Sequence, residues 1–325
     1  MIKQLQYVFG EGFDPYENLA LEEALLCAVP PETCILYLWQ NQKTVVIGKN
    51  QNAWGECKIA ALEADGGRLA RRLSGGGAVF HDLGNLNFTF LVNRDDYDVD
   101  KQLEVILEAV KSFGIRAEKS GRNDITADGR KFSGNAFYKT AAGCYHHGTL
   151  LLDVDMSRLS DYLNVSMDKL ASKGVDSVKA RVINLCELSD EITVDNMKMR
   201  LLEAFGKVYG GIPQELDLAG INLQKRRELY EKYASWEWRL GRKIPFSFAF
   251  SRRFPWGNIE LQLSVDGGKI AHCNAFSDAM DADLIEQIPR RLTGCVCASQ
   301  TLADALQGDD PTLADIRALI LEQNF

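Results

Sequence analysis

The chain has 325 residues, 46% of them apolar, which is enough for a large folded domain and a smaller one. Its 45 acidic and 37 basic side chains give a net charge of −8, which argues against a general nucleic-acid or anionic-membrane surface. The start is too polar for a signal peptide, and no apolar run reaches the length of a membrane span. Eight cysteines without the dense spacing of a secreted scaffold fit reduced thiols, so we expect a cytoplasmic globular protein.

The first 240 residues alternate between predicted strands and helices. Alternating or β-branched stretches predict strands at 3–9, 33–39, 44–47, 68–73, 86–92, 115–118 and 145–154. Apolar spacing and end signals predict helices at 15–29, 56–64, 99–113, 196–209 and 225–233. The first helix has Asp14 as its cap and Pro15 at its first position. Only four polar residues separate 33–39 from 44–47, so we expect these two strands to form a hairpin.

A second hairpin is predicted over 123–138, turning at Asp128–Gly129. A two-residue turn places Thr126 opposite Lys131 and Asp124 opposite Ser133. Because side chains alternate between the faces of a strand, these four polar residues should share one face. Ile125 and Phe132 should then pack on the other face.

The last 80 residues have their own pattern of elements. Strands are predicted at 244–251, 258–265 and 269–276, followed by helices at 281–288, 299–306 and 312–323. We place a domain boundary near residue 242, giving a catalytic domain over 1–242 and a small α/β accessory domain over 243–325. The whole chain is predicted to be of the α+β class, with mainly antiparallel pairing.

The stretch 71–82 reads Arg-Arg-Leu-Ser-Gly-Gly-Gly-Ala-Val-Phe-His-Asp. Three consecutive glycines suit a backbone with positive φ or a close approach by a ligand, and their N–H groups can form an anion site. Arg71 and Arg72 add charge that matches phosphate or carboxylate oxygens. The alternative is a glycine loop at a strand end with solvated arginines.

This stretch resembles the signature of the lipoate-protein ligases. Two further stretches are similar to the same family: 120–138, with its Gly-Arg-Asn-Asp and Arg-Lys-x-Ser-Gly elements, and 146–151, which reads His-His-Gly-Thr-Leu-Leu. The resemblance extends from the Asn-Leu-Ala-x-Glu-Glu of 18–23 to Trp-Glu-Trp at 236–238, and more weakly to the end. It implies the biotin/lipoate ligase fold, which is class II synthetase-like, with a large mixed or antiparallel sheet.

The resemblance also implies an activity. Lipoate, and octanoate as well, would be activated by ATP with Mg²⁺ to an acyl-adenylate and transferred to a lysine of an acceptor. The implied acceptors are the lipoyl domains of 2-oxoacid dehydrogenase acyltransferase subunits and the glycine cleavage H protein. No permanently bound cofactor, nucleic acid or membrane partner is expected.

Site residues follow from the motifs that match. Lys131 is the expected catalytic residue and would contact both nucleotide and lipoate. The other ATP or adenylate ligands are expected to be Arg72, Gly75, Gly76, Gly77, Ala78, Val79 and Phe80. The other lipoate ligands are expected to be Arg72, Ser74 and His81. An adenylate-binding loop within 169–185 would contribute Lys173, Lys179 and Arg181.

Several of these assignments have a plain structural alternative. Taken alone, Lys131 would be a solvated lysine and the 169–185 stretch a surface loop. Asp124 is a candidate Mg²⁺ ligand, because magnesium prefers oxygen ligands. The alternative is that Asn123 and Asp124 are present because these residue types favour a turn. His81 either fixes the loop or packs as a structural histidine. His146 and His147 are expected to be structural, since neighbours on a strand face opposite ways.

Two other functions remain open from the sequence. One is a cysteine-dependent octanoyl or lipoyl transferase of the same superfamily, for which Cys144 is the only thiol near Lys131. The other is a non-catalytic lipoyl-binding accessory protein, which loss of Lys131 or of the glycines would have indicated. A biotin-protein ligase is disfavoured because its Gly-Arg-Gly-Arg type of loop is absent.

Overall fold

The computed structural model describes residues 2–121, 123–163, 182–240 and 248–323. Its strands, in chain order, are β1 Gln4–Phe9, β2 Thr33–Trp39, β3 Thr44–Ile47, β4 Arg68–Arg71, β5 Val79–His81, β6 Asn85–Asn93, β7 Ala117–Ser120, β8 Asp124–Ala127, β9 Arg130–Lys139, β10 Gly143–Leu151, β11 Gln214–Glu215, β12 Phe248–Phe254, β13 Gly257–Asp266 and β14 Lys269–Ser277. Its α-helices are α1 Pro15–Ala28, α2 Ala53–Glu56, α3 Ile59–Ala64, α4 Val99–Lys111, α5 Leu159–Tyr162, α6 Val194–Tyr209, α7 Leu223–Ala234, α8 Trp236–Arg239, α9 Ala282–Leu292, α10 Ser299–Ala305 and α11 Pro311–Leu321.

Eight strands form the main sheet, in the order β11-β1-β2-β6-β10-β9-β8-β7. Strand β1 pairs in parallel with β2 and β11, and the pairs from β2 to β7 are antiparallel. The predicted α+β class with a large mixed sheet is confirmed. Among the described residues, no helix is long and apolar enough to cross a membrane.

The predicted hairpin of β2 and β3 is wrong. Strand β2 lies between β1 and β6, whereas β3 lies between β4 and β5 in a separate sheet. Every residue of β2 is buried, as expected of a central strand covered on both faces. Residues 40–43 connect β2 to β3 without forming a hairpin turn. In this connection the Gln40 carbonyl and the Asn41 side chain accept hydrogen bonds from the Asn18 side chain of α1.

Side chains of β6 alternate between the two faces of the main sheet. Leu86, Phe88, Phe90 and Val92 belong to the main apolar core, as predicted, together with residues of α4 and α6. The other face carries polar and aromatic side chains and is contacted by α1. Helix α1 begins as predicted, with the Asp14 carboxylate accepting a hydrogen bond from the Tyr16 N–H.

The hairpin of β8 and β9 turns at Asp128 and Gly129, both with positive φ (49° and 72°), as the sequence predicts. Thr126 lies opposite Lys131, also as predicted. The pairing predicted between Asp124 and Ser133 is wrong, because the register shifts by one residue and Asp124 lies opposite Gly134. The additional residue on β9 is Phe132, which is fully buried with Ile125 in the main core.

A second unit contains strands β12 to β14 and helices α9 to α11 around its own apolar core. By its contacts this unit comprises Leu240–Phe325 together with two short segments from earlier in the chain, Ile47–Glu56 and Arg71–Ala78. The first unit comprises Met1–Val46, Cys57–Ala70 and Val79–Arg239. The boundary predicted near residue 242 lies outside the described residues and stays a prediction.

Candidate active site

Lys131 forms an ion pair with Asp124 across the β8–β9 hairpin. Its Nζ lies 2.7 Å from Asp124 Oδ1, and the two side chains are 36% and 37% exposed. The predicted common face is therefore confirmed for Lys131 and Asp124, but it is wrong for Ser133, which the register shift places opposite Ile125 of the main core. A half-exposed ammonium with one carboxylate partner keeps donors for an anionic ligand, since a lysine has three N–H bonds to donate.

Gly134 provides the space that the Lys131 side chain occupies. A Cβ added to Gly134 would lie 3.1 Å from Lys131 Nζ and 3.2 Å from Cε, closer than ordinary van der Waals contact. Any larger residue at 134 would therefore displace the ammonium. Sequence reasoning missed this role, although the spacing Lys-x-x-Gly on one strand was a usable signal.

Gly134 belongs to a line of residues that crosses the main sheet on the face opposite the main core. Asp124 pairs with Gly134, the Gly134 N–H donates to Thr149 Oγ1 at 3.3 Å, Thr149 pairs with Asn87, and Asn87 pairs with Trp39. We call these five residues the cross-strand row. Exposure falls along it, from the half-exposed Asp124 to Asn87 and Trp39, which are 2% and 3% exposed. The row thus has a charged, open end and a buried, aromatic end.

A buried polar network flanks the aromatic end of the row. Glu22 of α1 is 1% exposed, and its Oε1 accepts from the Thr89 hydroxyl at 2.7 Å and lies 2.8 Å from His147 Nδ1. The Thr89 Oγ1 in turn accepts from Trp39 Nε1 at 3.1 Å, and the Trp39 ring stacks on Tyr37. A buried carboxylate with two donors fixes the Trp39 ring.

The two adjacent histidines face opposite sides of the sheet, as predicted. His146 is fully buried among Phe88, Phe90 and Phe137, and its Nε2 lies 2.8 Å from Asn135 Oδ1. Burial lowers the pKa of His146 to about 3, so the ring is neutral at physiological pH. Only His147 shares the face of the cross-strand row.

Residues 71–78 form the glycine-rich segment, and its two arginines, Arg71 and Arg72, bind main-chain carbonyls. Arg71 Nη1 donates to the carbonyls of Gly48, Lys49 and Gln51 at 2.7 to 3.2 Å, and burial lowers its pKa to about 10. Arg72 donates to Gly75 O, to Gly77 O at 2.8 Å and to Ser74 Oγ at 3.1 Å. Arg72 therefore holds the segment itself, whereas Arg71 ties the start of the segment to the main chain of residues 48–51. The role of Arg72 and Ser74 toward ligands stays a prediction.

The glycines of this segment lie close to other main-chain atoms of the same unit. The Gly76 N–H donates to Ala279 O at 3.2 Å, and Gly76 has the positive φ of 91° that its type was predicted to supply. A Cβ at Gly75 would collide with Ala279 O, and one at Gly48 would collide with Gly76 O. A Cβ at Gly77 would meet nothing within 4 Å, so the segment is open at that position.

The remaining predicted nucleotide and lipoate residues follow in chain order. Ala78 ends the segment, and Val79, Phe80 and His81 form β5, where they pair with Val46, Val45 and Thr44 of β3. His81 is buried, with its Nδ1 3.2 Å from Asn41 Nδ2. This contact links it to Asn18, so a structural role for His81 accounts for the geometry.

Lys173, Lys179 and Arg181 lie outside the described residues. The chain that follows them does return to the site, because Val182 forms a parallel bridge with Lys131 and the Ile183 N–H donates to the Lys131 carbonyl at 2.9 Å. The described chain from Val182 onward is thus anchored at the main chain of Lys131.

Cys144, the thiol that a transferase would need, lies in the main core with 1% exposure. Burial raises its pKa, which disfavours the reactive thiolate. All eight cysteines are free thiols, and within the described ranges no group of three or more His, Cys, Asp or Glu side chains could hold a metal ion.

Comparisons with known proteins agree with this geometry. A family model described as the lipoyl protein ligase A/B catalytic domain matches residues 14–206, and a model of the bacterial lipoate protein ligase C-terminus matches residues 243–318. The structure of P. falciparum LipL1 in complex with lipoate is 30% identical, with a TM-score of 0.86, covering 98% of this chain and 99% of that chain. A structure from the analysis of an archaeal lipoylation system, described as a bi-partite lipoate protein ligase and its E2 lipoyl domain from Thermoplasma acidophilum, is 26% identical, covers 76% of this chain and 100% of that chain, and has a TM-score of 0.66.

A structure of lipoate-protein ligase A bound with ATP is also similar. It is 26% identical, covers 74% of this chain and 99% of that chain, and has a TM-score of 0.65. Both regions of the chain are matched by models of one enzyme family, and the similarity to the LipL1 structure extends over nearly the full length. This chain belongs to the lipoate-protein ligase family.

Proposed function

We propose that this protein is an ATP-dependent lipoate-protein ligase that works through lipoyl-AMP. The observation that carries the proposal is the Lys131 ammonium, which Gly134 and Asp124 hold at the open end of the buried cross-strand row. A positive group at the open end of the cross-strand row, with a buried aromatic side chain at the other end, suits an acid with a long apolar chain. The same ammonium can also contact a phosphate.

In the first step a lipoate carboxylate oxygen attacks the α-phosphorus of ATP. The new P–O bond forms as the bond to pyrophosphate breaks, and charge builds on the phosphoryl oxygens. Lys131 donates to those oxygens as the charge develops. Asp124 offers a single carboxylate, which suits magnesium held mainly by phosphates, and such an ion would neutralise part of the phosphate charge.

In the second step a lysine amine of the acceptor attacks the mixed-anhydride carbonyl. The C–N bond forms, AMP leaves, and the amine proton passes to solvent. Negative charge develops on the carbonyl oxygen, which Lys131 stabilises from the position it already holds. One ammonium thus serves both steps, and no covalent enzyme intermediate is needed.

The glycine-rich segment is proposed to bind the nucleotide phosphates. Its open position at Gly77 and its positive φ at Gly76 suit an anion site made of main-chain N–H groups. The relative bound with ATP supports this nucleotide as the co-substrate. We assign two roles to Arg72: it holds the segment in shape, and it contacts phosphate by giving up one of its hydrogen bonds to a carbonyl. Lys173, Lys179 and Arg181 are assigned to bind the adenylate.

The apolar chain of lipoate is proposed to follow the cross-strand row toward Trp39. The carboxylate would meet Lys131 over Gly134, and the chain would pass Thr149 to reach Asn87 and Trp39. The relative solved with lipoate supports binding of this acid, and the archaeal ligase described together with its E2 lipoyl domain supports such domains as acceptors. Octanoate, which shares the chain, is proposed as a second substrate, and the free thiols fit the cytoplasm.

Exchange of labelled pyrophosphate into ATP tests the proposal directly. Lipoate should support exchange without any acceptor protein, octanoate should support it as well, and biotin should not. The Cys144→Ser variant should exchange at the rate of the unmodified protein, because the thiol is buried away from Lys131. Ligation of lipoate without detectable exchange would overturn the adenylate mechanism, and loss of activity in Cys144→Ser would favour the thioester route.

A further inference from the structure

Two asparagines on β6 form a polar pair on the face of the cross-strand row. Asn85 Nδ2 donates to Asn87 Oδ1 at 3.1 Å, and the two residues are 0% and 2% exposed. Among the described residues, nothing accepts a hydrogen bond from Asn87 Nδ2. A buried N–H without an acceptor is unfavourable, so this amide needs a partner that the described residues do not supply.

The position of Asn87 on the row identifies what reaches it. Asn87 lies two strands from Gly134, next to Trp39, and neighbouring strands are about 4.8 Å apart. The amide therefore lies about 10 Å along the row from the place where Lys131 holds its ammonium. A bound acid anchored at Lys131 presents its far end here.

The two acids that the site is proposed to accept differ at this distance. Lipoate carries its sulfur atoms on the sixth and eighth carbons, about 6 to 9 Å from the carboxyl carbon in an extended chain. With a hydrogen bond of about 3 Å between the carboxylate and Lys131, the dithiolane ring comes to lie over Asn87 and Trp39. Octanoate has only methylene and methyl groups at the same place.

We propose that Asn87 is a specificity-determining residue whose free amide N–H donates to a dithiolane sulfur and so favours lipoate over octanoate. The proposal rests on the proposed function, because it needs the carboxylate to bind at Lys131. Sulfur is a weak acceptor, so the preference is modest. Octanoate leaves the N–H unpaired, which a site built around a hydrogen bond penalises.

The test compares kcat/KM for lipoate and octanoate in two variants at this position. Asn87→Leu keeps the shape and removes the donor, and Asn87→Asp keeps the shape with acceptors only. Both should lower the lipoate-to-octanoate ratio about tenfold, mainly through weaker use of lipoate. Octanoate should be used by Asn87→Leu at least as well as by the unmodified enzyme.

Gln102→Leu is the matched control. Gln102 of α4 is also fully buried, and both polar atoms of its side chain lack a partner among the described residues, but it lies on the core side of the sheet. Its replacement should leave the ratio unchanged. An unchanged ratio in folded Asn87→Leu or Asn87→Asp would overturn the proposal, as would an equal change in Gln102→Leu. Failure of the unmodified enzyme to activate either acid would instead overturn the proposed function.

Discussion

The β8–β9 hairpin and the glycine-rich segment combine the same residue types in opposite ways. In the hairpin, Gly134 makes room for the ammonium of Lys131, whose partner is one half-exposed carboxylate. In the segment, Arg71 and Arg72 are buried and donate to main-chain carbonyls, so these two cations stabilise the conformation of the main chain. A motif of glycine and positive charge therefore does not tell whether the charge faces a ligand or the backbone.

The chemistry of the two cations explains the difference. A guanidinium has five N–H donors in a fixed plane, so one arginine can bind several carbonyls at once and lock a loop. An ammonium is a compact charge on a flexible stem and exchanges partners easily. We therefore expect loss of Lys131 to reduce activity and loss of Arg71 to reduce stability.

The largest expected effect is that of Lys131→Ala on activity. Removing a donor that serves both charge-developing steps should lower kcat/KM for ligation about 10²- to 10³-fold. Transfer from supplied lipoyl-AMP should fall along with adenylation, and thermal stability should hardly change. Lys119→Ala is the control, since Lys119 lies on the edge strand β7, forms an ion pair with Asp100 of α4, and should be dispensable. A fully active Lys131→Ala enzyme would contradict the assignment.

Arg71→Met should instead destabilise the fold around the glycine-rich segment. The change removes three hydrogen bonds from a charged donor and leaves buried carbonyls without it, so the free energy of unfolding should fall by about 2–3 kcal/mol. Urea denaturation with hydrogen exchange over residues 47–78 measures this. Arg227→Met, at an exposed site on α7, should change stability by less than about 0.5 kcal/mol. Equal effects in the two variants would show that Arg71 does not hold the segment.

Gly134→Ala should separate the position of the ammonium from its presence. Gly134 has no positive φ, so alanine fits the backbone, but its Cβ would push Lys131 Nζ away from the row. We expect kcat/KM to fall about tenfold with unchanged stability, because the ammonium has to shift by less than the roughly 1 Å that costs about 10²-fold. Gly220→Ala, where a Cβ would meet nothing, is the control. Wild-type kinetics in Gly134→Ala would show that the position of the ammonium is not critical.

The smallest effect concerns His146 on the core side of the sheet. Its pKa is lowered by burial to about 3, below the ordinary value near 6.5, so the unfolded chain binds more protons between these values. The free energy of unfolding therefore carries no penalty from His146 well above pH 6.5, and it decreases as the pH falls from 6.5 toward 3. The free energy of unfolding should drop by about 1 kcal/mol between pH 6.5 and 5.5, and His146→Leu should lack this component. The same slope in the variant would show that the pH dependence arises from other groups.

Local signals in the sequence predicted much of the fold. The cap at Asp14, the apolar alternation on β6 and the turn at Asp128–Gly129 each depend on neighbouring residues, and all three are present in the structure. The pairing of β2 was not predictable in this way, because β6 lies some 50 residues further along the chain. The register shift at Phe132 also depends on distant residues, namely the core that this ring fills.

In the candidate site, too, the features set by local sequence were predicted and those made by distant residues were not. The common face of Asp124 and Lys131 follows from the strand period and was predicted, whereas their ion pair was not. The space above Gly134 and the network of Glu22, Thr89 and His147 are made by side chains from separate elements. One local signal for the network was present in the sequence, a glutamate on the apolar side of α1.

The most direct test of the acyl-adenylate follows the carboxylate oxygen of lipoate through one turnover. The reaction is run with lipoate labelled with ¹⁸O in its carboxylate, ATP and an acceptor lipoyl domain, and the AMP is analysed by mass spectrometry. Attack of the carboxylate on the α-phosphorus predicts that each AMP carries one ¹⁸O atom from lipoate. AMP without the label, or ADP with labelled inorganic phosphate, would contradict the mechanism.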